Sequence, residues 1–180
     1  MGLVVTISGL HGVGKSSCAK ILAQIFNLKY LSSGELFRRL AKEKGMTLEE
    51  FSRYVEKNPE IDRMIDEETV RAAKEGNVVI DARLSAWKAG ELADIKILLT
   101  APLEVRVRRL AERENKTYKE ALEETLAREK SEKERFKSIY NIDVDDYSVF
   151  DVIINTELWS LESIVKILKT IVEEYLASSS

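Results

Sequence analysis

One stretch constrains this chain more than any other: Gly9-Leu10-His11-Gly12-Val13-Gly14-Lys15-Ser16 satisfies the pattern Gly-x4-Gly-Lys-Ser/Thr in full. The apolar run Leu3-Val4-Val5-Thr6-Ile7 leads into it, and Ser17-Cys18-Ala19-Lys20-Ile21-Leu22-Ala23-Gln24-Ile25 follows with helical periodicity. Strand, glycine loop and helix, in that order, are the setting in which such a loop cradles a polyphosphate. Glycines let successive backbone N–H groups turn inward where side chains would block the approach. The helix N-terminus adds partial positive charge, and Lys15 is placed to reach the outer phosphates. Ser16 is the candidate ligand for Mg2+. The motif implies a bound nucleoside triphosphate, with ATP as expected donor. Gly9, Leu10, His11, Gly12, Val13, Gly14, Lys15, Ser16 and Ser17 are the candidate contacts.

A chain of 180 residues suffices for one domain with a sizeable core. The net charge of −3 argues against nucleic acid as the main partner, so any basic site must be local. The single cysteine, Cys18, excludes an internal disulfide and reads as packing on the helix after the loop. The single histidine, His11, occupies a variable loop position and argues against a histidine-based zinc site. No apolar run reaches membrane-spanning length, and the N-terminal run lacks the basic flank of a signal peptide. The expectation is a cytoplasmic monomer with a small-molecule partner and no membrane.

The order of elements follows from periodicity and breakers. Residues 3–8 read as a buried parallel strand, and the next helix runs to about Phe26. Lys29-Tyr30-Leu31 is a short second strand, with Ser32 or Ser33 as cap of the helix that follows. Residues 35–76 read as helical throughout. Gly45 breaks the first piece, Thr47-Leu48-Glu49-Glu50 is a capping box, and Asn58-Pro59 opens the third piece. Val78-Val79-Ile80-Asp81 is the third strand and Ile95-Lys96-Ile97-Leu98-Leu99 the fourth. Pro102 opens a helix carrying Arg106, Arg108, Arg109 and Arg113, and a charged helical stretch runs from Thr117 to about Tyr140. Val152-Ile153-Ile154 is the fifth strand, and residues 160–176 form a closing amphipathic helix. Five strands alternating with helices predict a single α/β domain with a parallel sheet. About 45 residues of helix between strands two and three exceed a simple crossover and read as an inserted substrate-binding subdomain.

Four groups of arginines fall where this topology places strand ends and adjoining helices: Arg38, Arg83, Arg109 with Arg113, and Arg128 with Arg135. Guanidinium suits two phosphates approaching one another, since it neutralises charge and hydrogen-bonds two oxygens at once. Taken singly, each arginine is better explained by a solvated surface pair, above all Arg128 and Arg135 in their run of helix-surface charges; the ensemble and the long helical insertion favour phosphate.

The combination resembles the nucleoside monophosphate kinases and, within them, the archaeal form of cytidylate kinase. Ser32-Ser33-Gly34-Glu35-Leu36-Phe37-Arg38 is similar to that family's Ser-x-Gly-x-x-Phe-Arg motif. Asp81-Ala82-Arg83 resembles its Asp/Glu-Gly-Arg, with Ala82 in place of the usual glycine. Arg128, Glu132 and Arg135 resemble its Arg-x3-Asp/Glu-x2-Arg, and Tyr140-Asn141-Ile142-Asp143, residues 150–156 and Trp159 also look like archaeal text. The resemblance implies a phosphate-binding-loop kinase of three layers, with sheet order 2-3-1-4-5. It also implies a core of 1–34, 77–114 and 141–180, a monophosphate-binding insertion at about 35–76 and a lid at about 115–140. It assigns transfer to Lys15, Arg83, Arg128 and Arg135, and donor contacts to Arg109 and Arg113. The acceptor, a pyrimidine nucleoside monophosphate such as CMP or dCMP, falls to Ser32, Gly34, Arg38, Arg83, Arg128 and Glu132, to which the chemistry of the base below adds Asp66 and Asp81.

Cytosine presents an amino donor beside acceptors, so its site wants a carboxylate with a nearby guanidinium; Asp62, Arg63 and Asp66 are candidates, as is Asp81. The bland alternative for the helix carrying them is a charged outer face. Asp143, Asp145 and Asp146 lack calcium-loop spacing and read as a solvated loop. Two other functions stay open at this point. One is a kinase for another acceptor: AMP or UMP, which need no base, or a hydroxyl substrate, for which Asp81 is the candidate base. A nucleotide-binding switch finds only Asn115-Lys116-Thr117-Tyr118, whose Tyr118 stands where the guanine motif has aspartate.

Overall fold

The computed structural model describes residues 2–179. A five-stranded sheet, all parallel as the alternation of elements predicts, runs in the order β2-β3-β1-β4-β5 that the resemblance implies. The strands are β1 (Val4–Ser8), β2 (Lys29–Ser32), β3 (Val78–Asp81), β4 (Ile95–Thr100) and β5 (Val152–Asn155). The helices are α1 (Lys15–Ile25), α2 (Ser33–Glu43), α3 (Leu48–Glu56), α4 (Glu60–Glu75), α5 (Ser85–Ala89), α6 (Leu103–Glu114), α7 (Tyr118–Tyr140) and α8 (Leu161–Ser178).

Every residue of β1 is buried, because helices cover both faces of the central strands. Alternation then sorts its side chains. Val5 and Ile7 join Leu22 of α1 and Leu168 and Val172 of α8 in the main core. Val4 points the other way and packs with Ala73 of α4 and Ala89 of α5. The result is three layers.

Between β2 and β3 the chain makes α2, α3 and α4, and these carry a small core of their own. Phe51 and Val55 are fully buried there against Ala41, with Phe37 edge-on to Phe51 at 4.7 Å. The breakers act as read from sequence. Gly45 at φ 65° follows α2, the Thr47–Glu50 capping box opens α3, and Pro59 takes helical angles just before α4. The short α5 was not expected; five residues are too few to show a period. A second capping box, Thr117 with Glu120, starts α7.

The phosphate-loop glycines answer to steric need. A Cβ on Gly12, at φ 81°, would lie 2.5 Å from the Arg106 carbonyl oxygen of α6. One on Gly9 would lie 2.3 Å from the carbonyl of Leu99 on β4. Both neighbours are backbone, so neither can give way.

Candidate active site

The loop 9–16 leaves β1 and turns into α1 at Gly14, which has left-handed angles (φ 96°) and offers no side-chain cap. Nor does the first turn of α1 carry an acidic residue, so its N–H groups are left for an anion. Lys15 Nζ donates to the Leu10 carbonyl at 2.9 Å. Desolvation pushes this lysine down to about 8, with Asp81 opposing the shift. Ser16 Oγ donates to Asp81 Oδ2 at 2.6 Å, and the hydroxyls of Tyr30 (3.1 Å) and Ser32 (3.2 Å) donate to the same oxygen. A hydroxyl and a carboxylate at the mouth of the loop form a hard-oxygen pair.

One cavity opens from this loop, with about 1040 Å³ of empty space including its mouth, at the upper end for a small-ligand site. Three separate parts of the chain bring cations to its wall: Arg38 from α2, Arg83 from the end of β3, and Arg128 and Arg135 from α7. Arg38 passes over Gly34, whose missing Cβ would lie 3.4 Å from its Nη1. Among the described residues Arg38 has no ion-pair or hydrogen-bond partner. Ala82 is buried without a positive φ, so the methyl group that replaces the expected glycine is accommodated in the core beside Ile80.

The structure excludes the solvated reading of Arg128 and Arg135. Their side chains are 9% and 6% exposed, and Arg135 Nε donates to Asp62 Oδ2 of α4 at 2.7 Å. Ser131 of α7 donates to Glu56 of α3 at 2.6 Å, so α7 is docked on the inserted helices. Glu132 lies between them, with His11 Nε2 2.8 Å from Oε1 and Arg83 Nε 3.4 Å from Oε2. Burial alone would raise its pKa, but His11, Arg83 and Arg128 together hold it well below the usual carboxylate range.

At the far end of the cavity Asp62 and Asp66 of α4 are both buried, which removes the outer-face reading of this helix. Asp66 Oδ2 has no hydrogen-bond partner, and Lys88 Nζ stands 3.7 Å away, stacked over the Tyr140 ring. Burial pushes Asp66 up to about 6. Desolvation likewise raises Asp62, against the pull of Arg135.

Not every expected residue reaches this cavity. Arg63, weighed as a base-reading guanidinium, is exposed and off its wall, because its place on α4 turns it outward between Asp62 and Asp66. Ser32 caps α2 and bonds Asp81, while Ser33 and Gly34 line the wall. Leu10 and Val13 contribute backbone to the loop, their side chains packing in the core. Arg113 lines the cavity; Arg109 does not, its Nη1 and Nη2 donating to Thr156 Oγ1 and O, both at 2.9 Å. Cys18 is buried packing, as expected. Sequence reasoning gave no role to Arg106, which is buried, donates to the His11 carbonyl at 3.0 Å and pairs with Glu129. Its place three before Arg109 and seven before Arg113, on one helix face, was the available signal. Lys88 left no comparable trace, and Tyr140 stood only in a stretch resembling the family, with no role assigned. No described helix is long and apolar enough to cross a membrane.

Solved structures with the same architecture include a shikimate kinase from Bacteroides thetaiotaomicron (TM-score 0.63, 18% identity, 95% of this chain and 98% of that one). A gluconokinase from Sinorhizobium meliloti is similar too (TM-score 0.59, 19% identity, 99% and 97%). At such identities the likeness shows the fold alone. Sequence relatives are far nearer. The cytidylate kinase of Methanocaldococcus jannaschii is 45% identical over 174 residues, covering 95% of this chain and 98% of its own. That of Pyrococcus horikoshii is 46% identical over 171 residues, covering 95% and 88%. The model of the cytidylate kinase-like family matches residues 4–158, the phosphate loop, the arginine wall and β5 included. The chain belongs to the cytidylate kinase-like family.

Proposed function

We infer that the protein transfers the γ-phosphate of ATP to CMP and dCMP, giving ADP and the pyrimidine diphosphate. The observation that carries this is the wall of Arg38, Arg83, Arg128 and Arg135 facing Lys15 across one cavity. A hydroxyl acceptor brings at most a single carboxylate charge, whereas a phosphate acceptor brings a dianion, which this number of guanidinium groups suits. Its second pKa is about 6, so at neutral pH the acceptor is already largely dianionic and requires no base. Its oxygen attacks the γ-phosphorus in line as the bond to the ADP oxygen breaks. The obstacle is repulsion between two anions, which the guanidinium groups offset while they align them.

In this reading Arg38 and Arg83 hold the acceptor phosphate and Lys15 the donor. Arg128 and Arg135 reach the transferring group from α7, which acts as the lid over the α2–α4 insertion and excludes water. Ser16 and Asp81 would hold Mg2+. Among the described residues there is no cluster of three or more metal-binding side chains, so phosphate oxygens and water would complete its shell. The ion supplies charge neutralisation on the donor phosphates. The decisive experiment is a coupled assay of ADP release with CMP, dCMP, UMP, AMP and shikimate in parallel. Turnover with CMP and dCMP is expected; ADP release independent of any acceptor would point to a switch instead.

Two residue-level expectations follow from the acceptor side. Arg38→Ala is expected to raise the KM for CMP about 10- to 100-fold, the scale of one charge-assisted hydrogen bond, with little change in that for ATP. A selective loss of ATP affinity would reverse the donor and acceptor assignments. Asp66 is assigned to the exocyclic amine of cytosine, because its buried Oδ2 accepts no hydrogen bond in the protein, with Lys88 no nearer than 3.7 Å, and the residue lines the cavity. Only the carboxylate accepts in that way, so cytidine affinity is expected to fall as pH drops through about 6. Cytidine has no phosphate to titrate, which isolates the residue. Asp66→Asn is expected to abolish that pH dependence and narrow the preference for CMP over UMP. An unchanged CMP/UMP ratio would remove Asp66 from base reading.

A further inference from the structure

We propose that His11 is a positioning residue for phosphoryl transfer: its ring holds one oxygen of the Glu132 carboxylate, so that the other pairs with Arg83 only at 3.4 Å and the N–H groups of Arg83 and Arg128 are left to the phosphates. The proposal rests on the kinase reading of the cavity. His11 is the single histidine of the chain and sits in the phosphate loop, where neither a strand nor a helix requires an imidazole.

The geometry joins this residue to α7 twice. Through its side chain, Nε2 lies 2.8 Å from Glu132 Oε1, the two side chains being 20% and 11% exposed. Through its main chain, the carbonyl of His11 accepts from Arg106 Nη1 at 3.0 Å, and the same guanidinium pairs with Glu129. Glu129 and Glu132 are three apart, one above the other on the same face of α7. The donor loop is therefore gripped at one residue by two acids of the lid helix, one directly and one through Arg106. A carboxylate accepts only, so the hydrogen of this bond belongs to the ring, and a neutral imidazole must carry it on Nε2.

The consequence is chemical. Glu132 stands 3.4 Å from Arg83 and within electrostatic reach of Arg128. Released from His11, its carboxylate is free to turn both oxygens toward those guanidiniums. It then competes with the phosphates that the same groups must bind. With Oε1 held by the imidazole, only Oε2 faces Arg83, at a distance longer than a charge-assisted hydrogen bond.

Kinetics and one spectroscopic measurement test this. His11→Ala is expected to lower kcat about 10- to 100-fold with the KM for ATP changed only slightly, since the loop N–H groups remain. His11→Gln, whose amide nitrogen reaches about as far as Nε2, is expected to restore most of the loss; His11→Asn, one methylene shorter, is not. In a Glu132→Gln background His11→Ala is expected to add little, because its effect passes through that carboxylate. Full turnover in His11→Ala, equal loss in the Ala and Gln variants, or an undiminished effect in the Glu132→Gln background would each overturn the proposal. The ring nitrogens of the lone histidine can also be read directly by ¹⁵N NMR of the whole protein. The Nε2–H tautomer is expected in the wild type and a mixed population in Glu132→Gln; a wild-type Nδ1–H tautomer would refute the contact. This measurement needs no turnover, so failure of the wild type to phosphorylate CMP would count against the kinase reading and leave the NMR result to decide on the bond.

Discussion

Lys15→Ala is expected to lower kcat by about 10³-fold while leaving the melting temperature within a few degrees of the wild type. The lysine makes one hydrogen bond, to the Leu10 carbonyl, and supports no core packing. Its removal also relieves the desolvation that pushes its ammonium down to about 8, so the fold loses little. The transition state loses much more. Charge accumulates on the transferring group where backbone amides and one ammonium converge, and preorganised charge is worth most at that moment. The effect is therefore expected in kcat more than in ATP affinity. The same group sets a pH limit. Lys15 serves while protonated, so kcat/KM for ATP, which reports the free enzyme, is expected to decline as pH rises through about 8. Steady-state kinetics from pH 6 to 10 beside a thermal melt would check both statements. Near-normal kcat in the variant would remove the loop from the mechanism.

Arg128→Ala and Arg135→Ala are both expected to cut turnover strongly, by factors of about 10³, yet to differ in stability. The difference lies in what each removal strands. Arg128 is 3.8 Å from Glu124, which keeps its pair with Lys116, while Glu132 keeps His11 and Arg83. No carboxylate is orphaned, and the melting temperature is expected to hold. Arg135 is the partner of Asp62, and both side chains are only 6% exposed. Breaking such a pair from one side costs about 3–5 kcal/mol if the surroundings stay closed. If α7 acts as the proposed lid, it swings off α3 and α4 and lets water reach Asp62, so part of that cost is expected to appear as a more open lid. Limited proteolysis of α7, kinetics and thermal melts on the two variants would separate the effects. Equal stability losses would mean that the Arg135–Asp62 pair is not what docks α7, and unchanged turnover in Arg128→Ala would sink its assignment to transfer.

Much of this architecture was legible because its signals are local. A buried β-branched run such as Val4–Ser8, the Thr47–Glu50 capping box and the breakers Gly45 and Gly76 each act over a few residues. The sheet order 2-3-1-4-5 is the one that the family resemblance implies. The short α5 was not legible, since five residues complete little more than one turn.

The sequence by itself determined the phosphate loop and the family pattern, because Gly-x4-Gly-Lys-Ser is a contiguous device whose spacing is its mechanism. It also determined which elements form, since periodicity and capping belong to neighbouring residues. Only the tertiary structure decided what each charge meets. Arg128 and Arg135 sit in a run that reads as a solvated helix face, yet docking of α7 on α3 and α4 buries them. Asp62 and Asp66 share a helix with the exposed Arg63, and only the packing of α4 tells them apart. His11 meets Glu132 across 121 residues, a pairing no local pattern announces. The physical reason is that burial, not residue type, sets what a charge is worth. Water screens these side chains on a surface, whereas burial at the cavity wall makes the neighbours of each one count.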